Sequence, residues 1–568
     1  MLRQKLKPFI PILEWLPSYK RAQFSGDLLA GIIVAIVLIP QSMAYAMVAG
    51  LPPQVGLYAS VLPLMLYSLF GSSRTMAVGP VGLMSLMTGS LLVEMGITDP
   101  DQLLSISALL ALLSGLTLIT MRLLKLGSVI NFLSHPVISG FTSAAAILIM
   151  FSQLKHLLGI KMPSGLGLAE KIGFTLSNID QINTVTLLVA LFSILLLIII
   201  RGPLTSRLPP SIGGILGKSA PLAVVIISIL FAAIFQLSEN YQLAIVGAIP
   251  AGLPNLAIPE IDLPLWEKIL HGAILIAVVG FLESISVAKA LASRRREKID
   301  ANQELLALGT ANLGSAFSGG YPVAGGLGRS MINFSSGANT PLAGIITALL
   351  LGFALICLTP YLYYLPRAVL SAIIIVAVSG LIDFKTFKKA WQYDRSDAVS
   401  LLTTFFAVLI IGVELGILFG AIISVSLYLH RSSQPHIAIV GRIAGSEHFR
   451  NIDRHDVETH PHILALRIDE NLYFANTNYL EDKIMEMIVD NSEIKELILI
   501  CSAINFIDTS ALDSLEVIIE RLKNAGVTVH FAEVKGPVMD KLKKGNFLAH
   551  LGEGKIFLST HDAFSVLE

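Results

Sequence analysis

Long apolar stretches without acidic or basic residues alternate with short polar connections along the first three quarters of the chain. Their lengths fit a lipid bilayer, because each crossing helix needs about 20 apolar residues. Divided at their Gly and Pro residues, the stretches predict about fourteen membrane segments. They lie at 28–73, which has room for two segments, and at 75–93, 102–121, 126–154, 185–200, 219–238, 269–282, 305–328, 330–366, 368–382, 398–413 and 415–430.

The pattern changes near residue 434. From there the chain alternates short strand-like runs, such as ILALRI, with amphipathic helical runs, such as NYLEDKIMEMIVD. Such alternation is typical of a soluble α/β domain. The sequence therefore predicts a short N-terminal segment at 1–25, a membrane domain at 26–433 and a soluble domain at 434–568.

Composition supports this division. Of the 568 residues, 54% are hydrophobic and 14% are charged, and the mean hydropathy is +0.73. A mostly soluble enzyme does not have so little polar surface. The 40 basic and 40 acidic residues balance only over the whole chain, because residues 434–568 hold 13 basic and 21 acidic ones. A basic membrane domain is thus joined to an acidic soluble one.

The short loops indicate how the protein lies in the membrane. If the N-terminus is cytoplasmic, most basic loop residues also fall on that side, and only Lys155, Lys161 and Lys171 fall on the other. The positive-inside rule then places both termini and the soluble domain in the cytoplasm. We expect an integral protein of a plasma membrane, or of the inner membrane of a bacterium. The basic residues on the cytoplasmic side are Arg74, Arg122, Lys125, Arg201, Arg207, Lys218, Arg294, Arg295, Arg296, Lys298, Lys385, Lys388, Lys389 and Arg395.

Two hydrophobic segments begin with Gly- and Pro-rich sequence. MAVGPVG at 76–82 lies in one half of the chain and GGYPVAGGLG at 319–328 in the other. Irregular backbone at membrane depth must line a protein cavity, since lipid cannot satisfy its free N–H and C=O groups. Interrupted segments at matching places in two halves are typical of transporters built from inverted repeats. The alternative is that each segment forms an ordinary kink in a packed helix. Two half-helices whose N-termini meet would attract an anion.

The membrane domain also contains two charged residues that are costly in lipid and therefore candidates for function. Arg329 follows the second Gly-rich segment, and Glu283 lies within the apolar stretch 270–292. Because a nonpolar environment disfavours a charged carboxylate, Glu283 could exchange a proton and couple its movement to transport. The alternatives are an ion pair between Glu283 and Arg329, or an Arg329 side chain that reaches the membrane surface.

No motif predicts catalysis, a metal site, a cofactor or nucleic-acid binding. The sequence contains no Walker A loop and no zinc motif, and nothing marks a hydrolase triad. The histidines His455, His460 and His462 lie close together but without a cysteine, which favours a solvated loop. We therefore expect a protein that is not an enzyme.

Four stretches resemble the sulfate permease (SulP) family of anion transporters. They are GDLLAGIIVAIVLIPQSMAYAMVAGLPPQVGLYAS at 26–60, SSRTMAVGPVGLMSL at 72–86, residues 283–330 from ESISVAKALA to GGLGRS, and GVELGILFGAIIS at 412–424. The resemblance implies seven plus seven inverted repeats and a homodimer. It also implies a core domain of segments 1 to 4 and 8 to 11 that moves against a gate domain.

The resemblance implies an anion site on eight residues. They are Gln41, Tyr45, Val81, Gly82, Gly326, Leu327, Gly328 and Arg329. Sodium-coupled relatives typically have Asp at the position of Glu283 and a hydroxyl one turn later, where this chain has Val287. That difference favours protons over sodium. Many relatives have Ser at the position of Gly328, which leaves the preferred anion open.

The soluble domain resembles the STAS domain, the sulfate transporter and anti-sigma factor antagonist fold, through LILICSAINFIDTSALDSLEVIIERLKNAGV. In soluble relatives the serine that matches Ser510 is phosphorylated, so Ser510 is a candidate regulatory site. The alternative is that Asp508, Thr509 or Ser510 caps a helix. A cytoplasmic protein could bind this domain.

The sequence thus predicts a secondary active transporter that moves sulfate with protons by an elevator-like motion. Alternatives in the same class are bicarbonate or C4-dicarboxylate symport, anion exchange, and a chloride pathway. A membrane-anchored sensor that signals through its STAS domain is the alternative from another class. The expected partners are the anion, protons, the lipid bilayer and a second copy of the chain.

Overall fold

Fourteen helices occupy the predicted membrane segments in the part of the chain that the structure, a computed structural model, describes. That part comprises residues 10–97, 99–128, 134–163, 166–250, 252–259 and 263–568. The first nine residues of the predicted N-terminal segment 1–25 lie outside it. In the first half the helices are α1 (Arg21–Val48), α2 (Pro53–Phe70), α3 (Gly82–Glu94), α4 (Pro100–Leu123), α5 (His135–Ser152), α6 (Thr184–Ile199) and α7 (Ala220–Ile234). In the second half they are α8 (Leu263–Arg295), α9 (Ala301–Phe317), α10 (Leu327–Ser335), α11 (Leu342–Cys357), α12 (Arg367–Val378), α13 (Arg395–Ile411) and α14 (Val413–Ser433).

The lengths of these helices differ in a way that matters for function. Eight helices of the described residues are long and apolar enough to cross a membrane alone. Helices α3 and α10 are much shorter, with 13 and 9 residues. They are the third helix of each half, so the predicted arrangement of two sevenfold repeats with interrupted third helices is confirmed.

The membrane helices pack in two sets. In the core set, α9 packs against α2 and α4, α8 against α4, and α11 against α1 and α2. In the gate set, α5 packs against α13, and α6 packs against α7 and α12. The core set is α1–α4 with α8–α11, and the gate set is α5–α7 with α12–α14.

The two sets meet along a restricted surface. Helix α1 contacts α7 and α12, and α3 contacts α5. One hydrophobic cluster lies wholly within the core helices and the segments that connect them, and it contains Phe281 and Tyr321. Another joins core residues such as Met43 to gate residues such as Phe141 and Ile373. The core set therefore has a hydrophobic interior of its own.

Contacts divide the chain into two units, Met1–Ser424 and Val425–Glu568, so the division falls inside α14. The second unit contains a six-stranded sheet. Two short strands of the first unit, β1 (Val78–Gly79) and β2 (Ala324–Gly325), come before it in the chain. The strands of the sheet are β3 (Ile437–Arg442), β4 (Phe449–Asn451), β5 (Ile463–Ile468), β6 (Glu496–Ile500), β7 (Thr528–Ala532) and β8 (Ile556–Phe557), and their order across the sheet is β4-β3-β5-β6-β7-β8. Strands β5 to β8 run parallel, and β3 is antiparallel to β4 and β5. The helices of this unit are α15 (Thr477–Asp490), α16 (Thr509–Asn524), α17 (Gly536–Lys544) and α18 (Thr560–Leu567). The predicted α/β domain is confirmed.

Candidate anion-binding site

Two very short strands cross at the centre of the core set and orient the half-helices. Strand β1 (Val78–Gly79) precedes α3, and strand β2 (Ala324–Gly325) precedes α10. They pair antiparallel, with Val78 opposite Gly325. Because each helix starts within three residues of its strand, both N-termini lie beside the same crossing.

The first turns of both half-helices lack a side-chain cap. The N-cap residues are Val81 and Gly326, and neither makes a side-chain cap hydrogen bond. The first N–H groups of a helix have no partner within the helix and carry partial positive charge. The crossing therefore presents two sets of N–H donors to a negatively charged ligand.

Side chains of the core helices hold strand β1 in place. Ser330 in α10 accepts a hydrogen bond from the Ala77 N–H at 3.0 Å, and Asn333 donates to the Thr75 carbonyl at 2.9 Å. The fully buried carboxylate of Glu304 in α9 accepts hydrogen bonds from Tyr67 Oη at 2.8 Å, Ser72 N at 2.8 Å and Ser72 Oγ at 2.7 Å. These contacts fix the connection between α2 and β1.

Strand β2 is held in a similar way. Ser284 in α8 accepts a hydrogen bond from the Gly325 N–H at 2.8 Å. The Asn312 side chain in α9 accepts from the Val323 N–H and donates to the Val323 carbonyl. Helices α8 and α9 thus place the start of α10 relative to the rest of the core.

Arg329 lies in the first turn of α10 with its guanidinium group inside the protein. The residue is 2% exposed, and neither terminal guanidinium nitrogen has a hydrogen-bond partner among the described residues. Glycines make room for it, because a Cβ atom on Gly79 would lie 3.2 Å from Nη1 and one on Gly326 would lie 3.1 Å from Nη2. Burial of a charge without a partner costs free energy, and a bound anion would supply the missing partner of Arg329.

Glu283 and Gln41 also have side-chain oxygen atoms without a hydrogen-bond partner. Glu283 Oε2 and Gln41 Oε1 are buried and have no hydrogen-bond partner in the described parts of the chain. The amide nitrogen of Gln41 donates to Tyr45 Oη at 3.2 Å, which holds the two side chains together on α1. Arg329 and Glu283 do not form the ion pair that was the alternative to a functional role.

One cavity of about 930 Å³ connects these groups. All the residues that the sequence predicts for the anion site, and Glu283, line it. It lies between the two sets, since Val37 of α1 faces Ile149 of α5, Pro221 of α7 and Ile373 of α12 across it. The predicted residues that the structure brings together here are Gln41, Tyr45, Val81, Gly82, Glu283, Gly326, Leu327, Gly328 and Arg329.

The sequence did not predict the gate side of this cavity. Arg201, Thr205, Ser206 and Lys218 line it from the connection between α6 and α7. In the sequence, Arg201 and Lys218 indicate only how the protein is oriented in the membrane. The signal that could have found Arg201 is its position between the apolar run 185–200 and Gly202-Pro203, where the helix becomes a π-helix at Ile200–Leu204.

Ser510, the candidate regulatory residue, lies in the second unit. It is exposed at the second position of α16. The cap of this helix is Asp508, whose carboxylate accepts a hydrogen bond from the Ala511 N–H at 2.8 Å. The Ser510 hydroxyl is therefore not needed to cap the helix.

Comparisons with known proteins agree with this geometry. Residues 24–404 match the sulfate permease family, and residues 454–563 match the STAS domain. Sulfate transporter 4.1, chloroplastic, from Arabidopsis thaliana is 35% identical over 98% of this chain and 82% of its own length. High affinity sulfate transporter 2 from Stylosanthes hamata is 32% identical over 98% of this chain and 86% of its own.

Solved structures show the same fold. The murine Solute Carrier 26 family member A9 anion transporter in the inward-facing state matches with a TM-score of 0.89 at 23% identity, over 99% of this chain and 94% of that one. The transmembrane domain of the cyanobacterium bicarbonate transporter BicA matches with a TM-score of 0.62 at 24% identity, over 72% and 98%. The chain is therefore a member of the sulfate permease family of membrane transporters, with a C-terminal STAS domain.

Proposed function

We propose that this protein is a secondary active transporter that carries sulfate together with protons. The observation on which the proposal rests is the buried, unpartnered guanidinium of Arg329, which lies beside two uncapped helix N-termini. A cation and two sets of N–H donors at one point form a site for an anion. The unpartnered carboxyl oxygen of Glu283 in the same cavity gives the site a group that can bind a proton.

Charge favours a doubly negative anion. Arg329, Arg201 and Lys218 line the cavity, and Glu283 is the one carboxylate among its described lining residues. A dianion gains more from this excess of positive charge than a monoanion of similar size. Curated relatives that share 30–35% of their residues with this chain are named sulfate transporters, which supports sulfate as the dianion.

The position of the predicted anion-binding residues on one set of helices supports an elevator-like mechanism. Gln41, Tyr45, Glu283 and Arg329 all lie on core helices, and α3 and α10 belong to the same set. If the core set moves as a body against the gate set, it carries these four residues and both half-helices with it, whereas Arg201 and Lys218 stay with the gate set. We further propose that the transporter is a homodimer with both termini and the STAS domain in the cytoplasm, and that residues 1–25 precede and 434–568 follow the membrane domain.

Uptake of radiolabelled sulfate into proteoliposomes tests the coupling to protons. We expect uptake to increase several-fold when the outside is more acidic than the inside, because a proton on Glu283 offsets the charge of the bound anion. Glu283→Gln should abolish the effect of the pH gradient. Glu94→Gln, an exposed glutamate at the far end of α3, is the matched control and should behave as wild type.

Two results would contradict parts of the proposal. If the wild-type protein moves no sulfate, bicarbonate, fumarate or chloride under any gradient, the transporter function is wrong. If sulfate uptake does not depend on the pH gradient in the wild type, or keeps that dependence in Glu283→Gln, then coupling through Glu283 is wrong. Competition of the unlabelled anions against labelled sulfate separates sulfate transport from bicarbonate, C4-dicarboxylate and chloride transport.

A further inference from the structure

A hydrogen bond connects the gate set with the far end of the anion-binding half-helix. The ammonium group of Lys218 donates to Ser336 Oγ at 3.1 Å. Lys218 ends the short helix Pro210–Lys218, which lies between α6 and α7 on the gate side. Ser336 is the C-cap residue of α10 and is 8% exposed. The contact therefore crosses from one set to the other.

The geometry of α10 makes this position important. Its nine residues span roughly 14 Å, with Arg329 and the N–H donors at one end and Ser336 at the other. The C-terminal end of a helix carries partial negative charge, so an ammonium group there is favourable. Lys218 thus holds the same helix whose opposite end faces the anion.

The turn after α10 is otherwise bound to the core set. The buried Asp27 carboxylate in α1 accepts hydrogen bonds from Asn339 N at 2.6 Å, Thr340 N at 3.0 Å and Thr340 Oγ1 at 2.7 Å. If the core set moves, the turn after α10 must move with α1, because the Asp27 carboxylate holds it there. The Lys218 contact has to break in such a movement, whereas the Asp27 contacts can persist.

We propose that Lys218 is a positioning residue that holds α10 in the arrangement seen here, where the cavity includes the connection between α6 and α7. Release of Ser336 from Lys218 precedes the movement of the core set. Lys218 also lines the cavity, so an anion that enters from this side competes with Ser336 for the ammonium group. This inference rests on the proposed elevator-like transport. It assigns to Lys218 the stabilisation of one arrangement of the core set, the one seen here.

Distances between spin labels in the full-length protein in liposomes test the inference. One label is placed on Cys357, which is exposed at the end of α11 in the core set, and the other on Leu176→Cys, which lies between α5 and α6. Burial raises the pKa of the Cys501 thiol to about 12, so this second native cysteine should not react. Dilution with unlabelled protein limits the signal to distances within one chain.

We expect Lys218→Gln to lower the ratio of the present arrangement to the alternative one at least about tenfold, as loss of a hydrogen bond from a charged group should do. Ser336→Ala should produce the same shift, and the double variant should add nothing to either. Lys218→Arg should restore most of the wild-type ratio. Lys388→Gln, an exposed lysine of the gate side, is the matched control.

The outcomes separate this inference from the proposed function. If Lys218→Gln and Ser336→Ala leave the distances unchanged, or if only Lys218→Gln changes them, the inference is wrong even when sulfate uptake is normal. If the distances shift as expected but the wild type moves no anion, the proposed function is wrong. Steady-state uptake provides the second readout. Ser336→Ala leaves the charge of the cavity unchanged and should change the maximal rate by more than it changes the KM for sulfate, whereas Lys218→Gln also removes a cavity charge and should raise the KM.

Discussion

Two glycines of the cavity have different surroundings, although both lie in the first turn of a half-helix. A Cβ atom on Gly82 would lie 3.2 Å from Tyr45 Cε1 and 3.2 Å from Ile149 Cδ1. A Cβ atom on Gly328 would meet no heavy atom within 4 Å. Gly82 is therefore tightly packed against side chains of α1 and α5, and Gly328 is not.

We expect Gly82→Ala to displace Tyr45 and to cost about 1–3 kcal/mol of stability, with a several-fold increase in the KM for sulfate. Gly328→Ala should change stability by less than about 0.5 kcal/mol. Gly328→Ser should fold equally well and change the preference among anions, because its hydroxyl would face the cavity. Thermal unfolding in detergent and competition uptake measure these effects. Equal losses of stability in the two alanine variants would contradict this account.

Arg329 provides the second prediction at this scale. Its planar group offers several donors in a fixed geometry, whereas lysine offers a single mobile ammonium group. Arg329→Lys should keep the charge but raise the KM for sulfate at least about tenfold. Arg294→Lys, at an exposed arginine near the end of α8, is the control and should leave the KM unchanged. An unchanged KM in Arg329→Lys would show that Arg329 does not bind the anion through several guanidinium N–H groups at once.

At the scale of the elements, the half-helices depend on strands only two residues long. Such strands cannot position a helix alone, so the side chains of α8, α9 and α10 fix them. Ser284 is fully buried and bonds to both Gly280 in its own helix and Gly325 in β2. Its neighbour Glu283 is therefore positioned next to the backbone that leads into α10.

Ser284→Ala should loosen β2 and cost about 1–3 kcal/mol. We expect the KM for sulfate to rise about three- to tenfold, because the start of α10 is displaced. The maximal rate should change less, because the surface between the core set and the gate set is unaltered. Ser286→Ala removes a hydroxyl whose one hydrogen bond among the described residues is to the Leu282 carbonyl of its own helix, and it should have little effect. The same change in both variants would mean that the contact with β2 does not position the site.

At the scale of the whole molecule, the two units have separate hydrophobic interiors. The interior of the second unit includes Leu499 of β6, which is 1% exposed, together with Leu466 and Phe531 of the neighbouring strands. Its stability therefore depends on its own packing. The cavity proposed to bind the anion is lined by residues of the first unit.

Leu499→Ala should destabilise the second unit by about 2–5 kcal/mol through the cavity that it leaves. Hydrogen exchange of peptides from residues 463–532 should become faster, and the KM for sulfate should stay the same. Val489→Ala, at a residue that is 81% exposed, is the control. A large increase in KM in Leu499→Ala would show that the second unit contributes to anion binding.

The sequence by itself determined the membrane segments and the α/β domain, and it predicted the residues that line the core side of the cavity. Apolar length and Gly/Pro interruptions are local properties, because a bilayer demands about 20 apolar residues and internally satisfied backbone at each crossing. MAVGPVG and GGYPVAGGLG could therefore be identified as the starts of two half-helices without knowledge of their neighbours. Arg329 and Glu283 stood out because charge is rare in such segments.

Only the tertiary structure decided which distant residues meet. The pairing of Val78 with Gly325, and the contacts of Glu304 with Ser72 and of Lys218 with Ser336, join positions more than 100 residues apart. Local patterns cannot specify such pairs, since they depend on how the two halves of the chain pack together. For the same reason Arg201 and Lys218 look like ordinary loop residues in the sequence, although they form the gate side of the cavity.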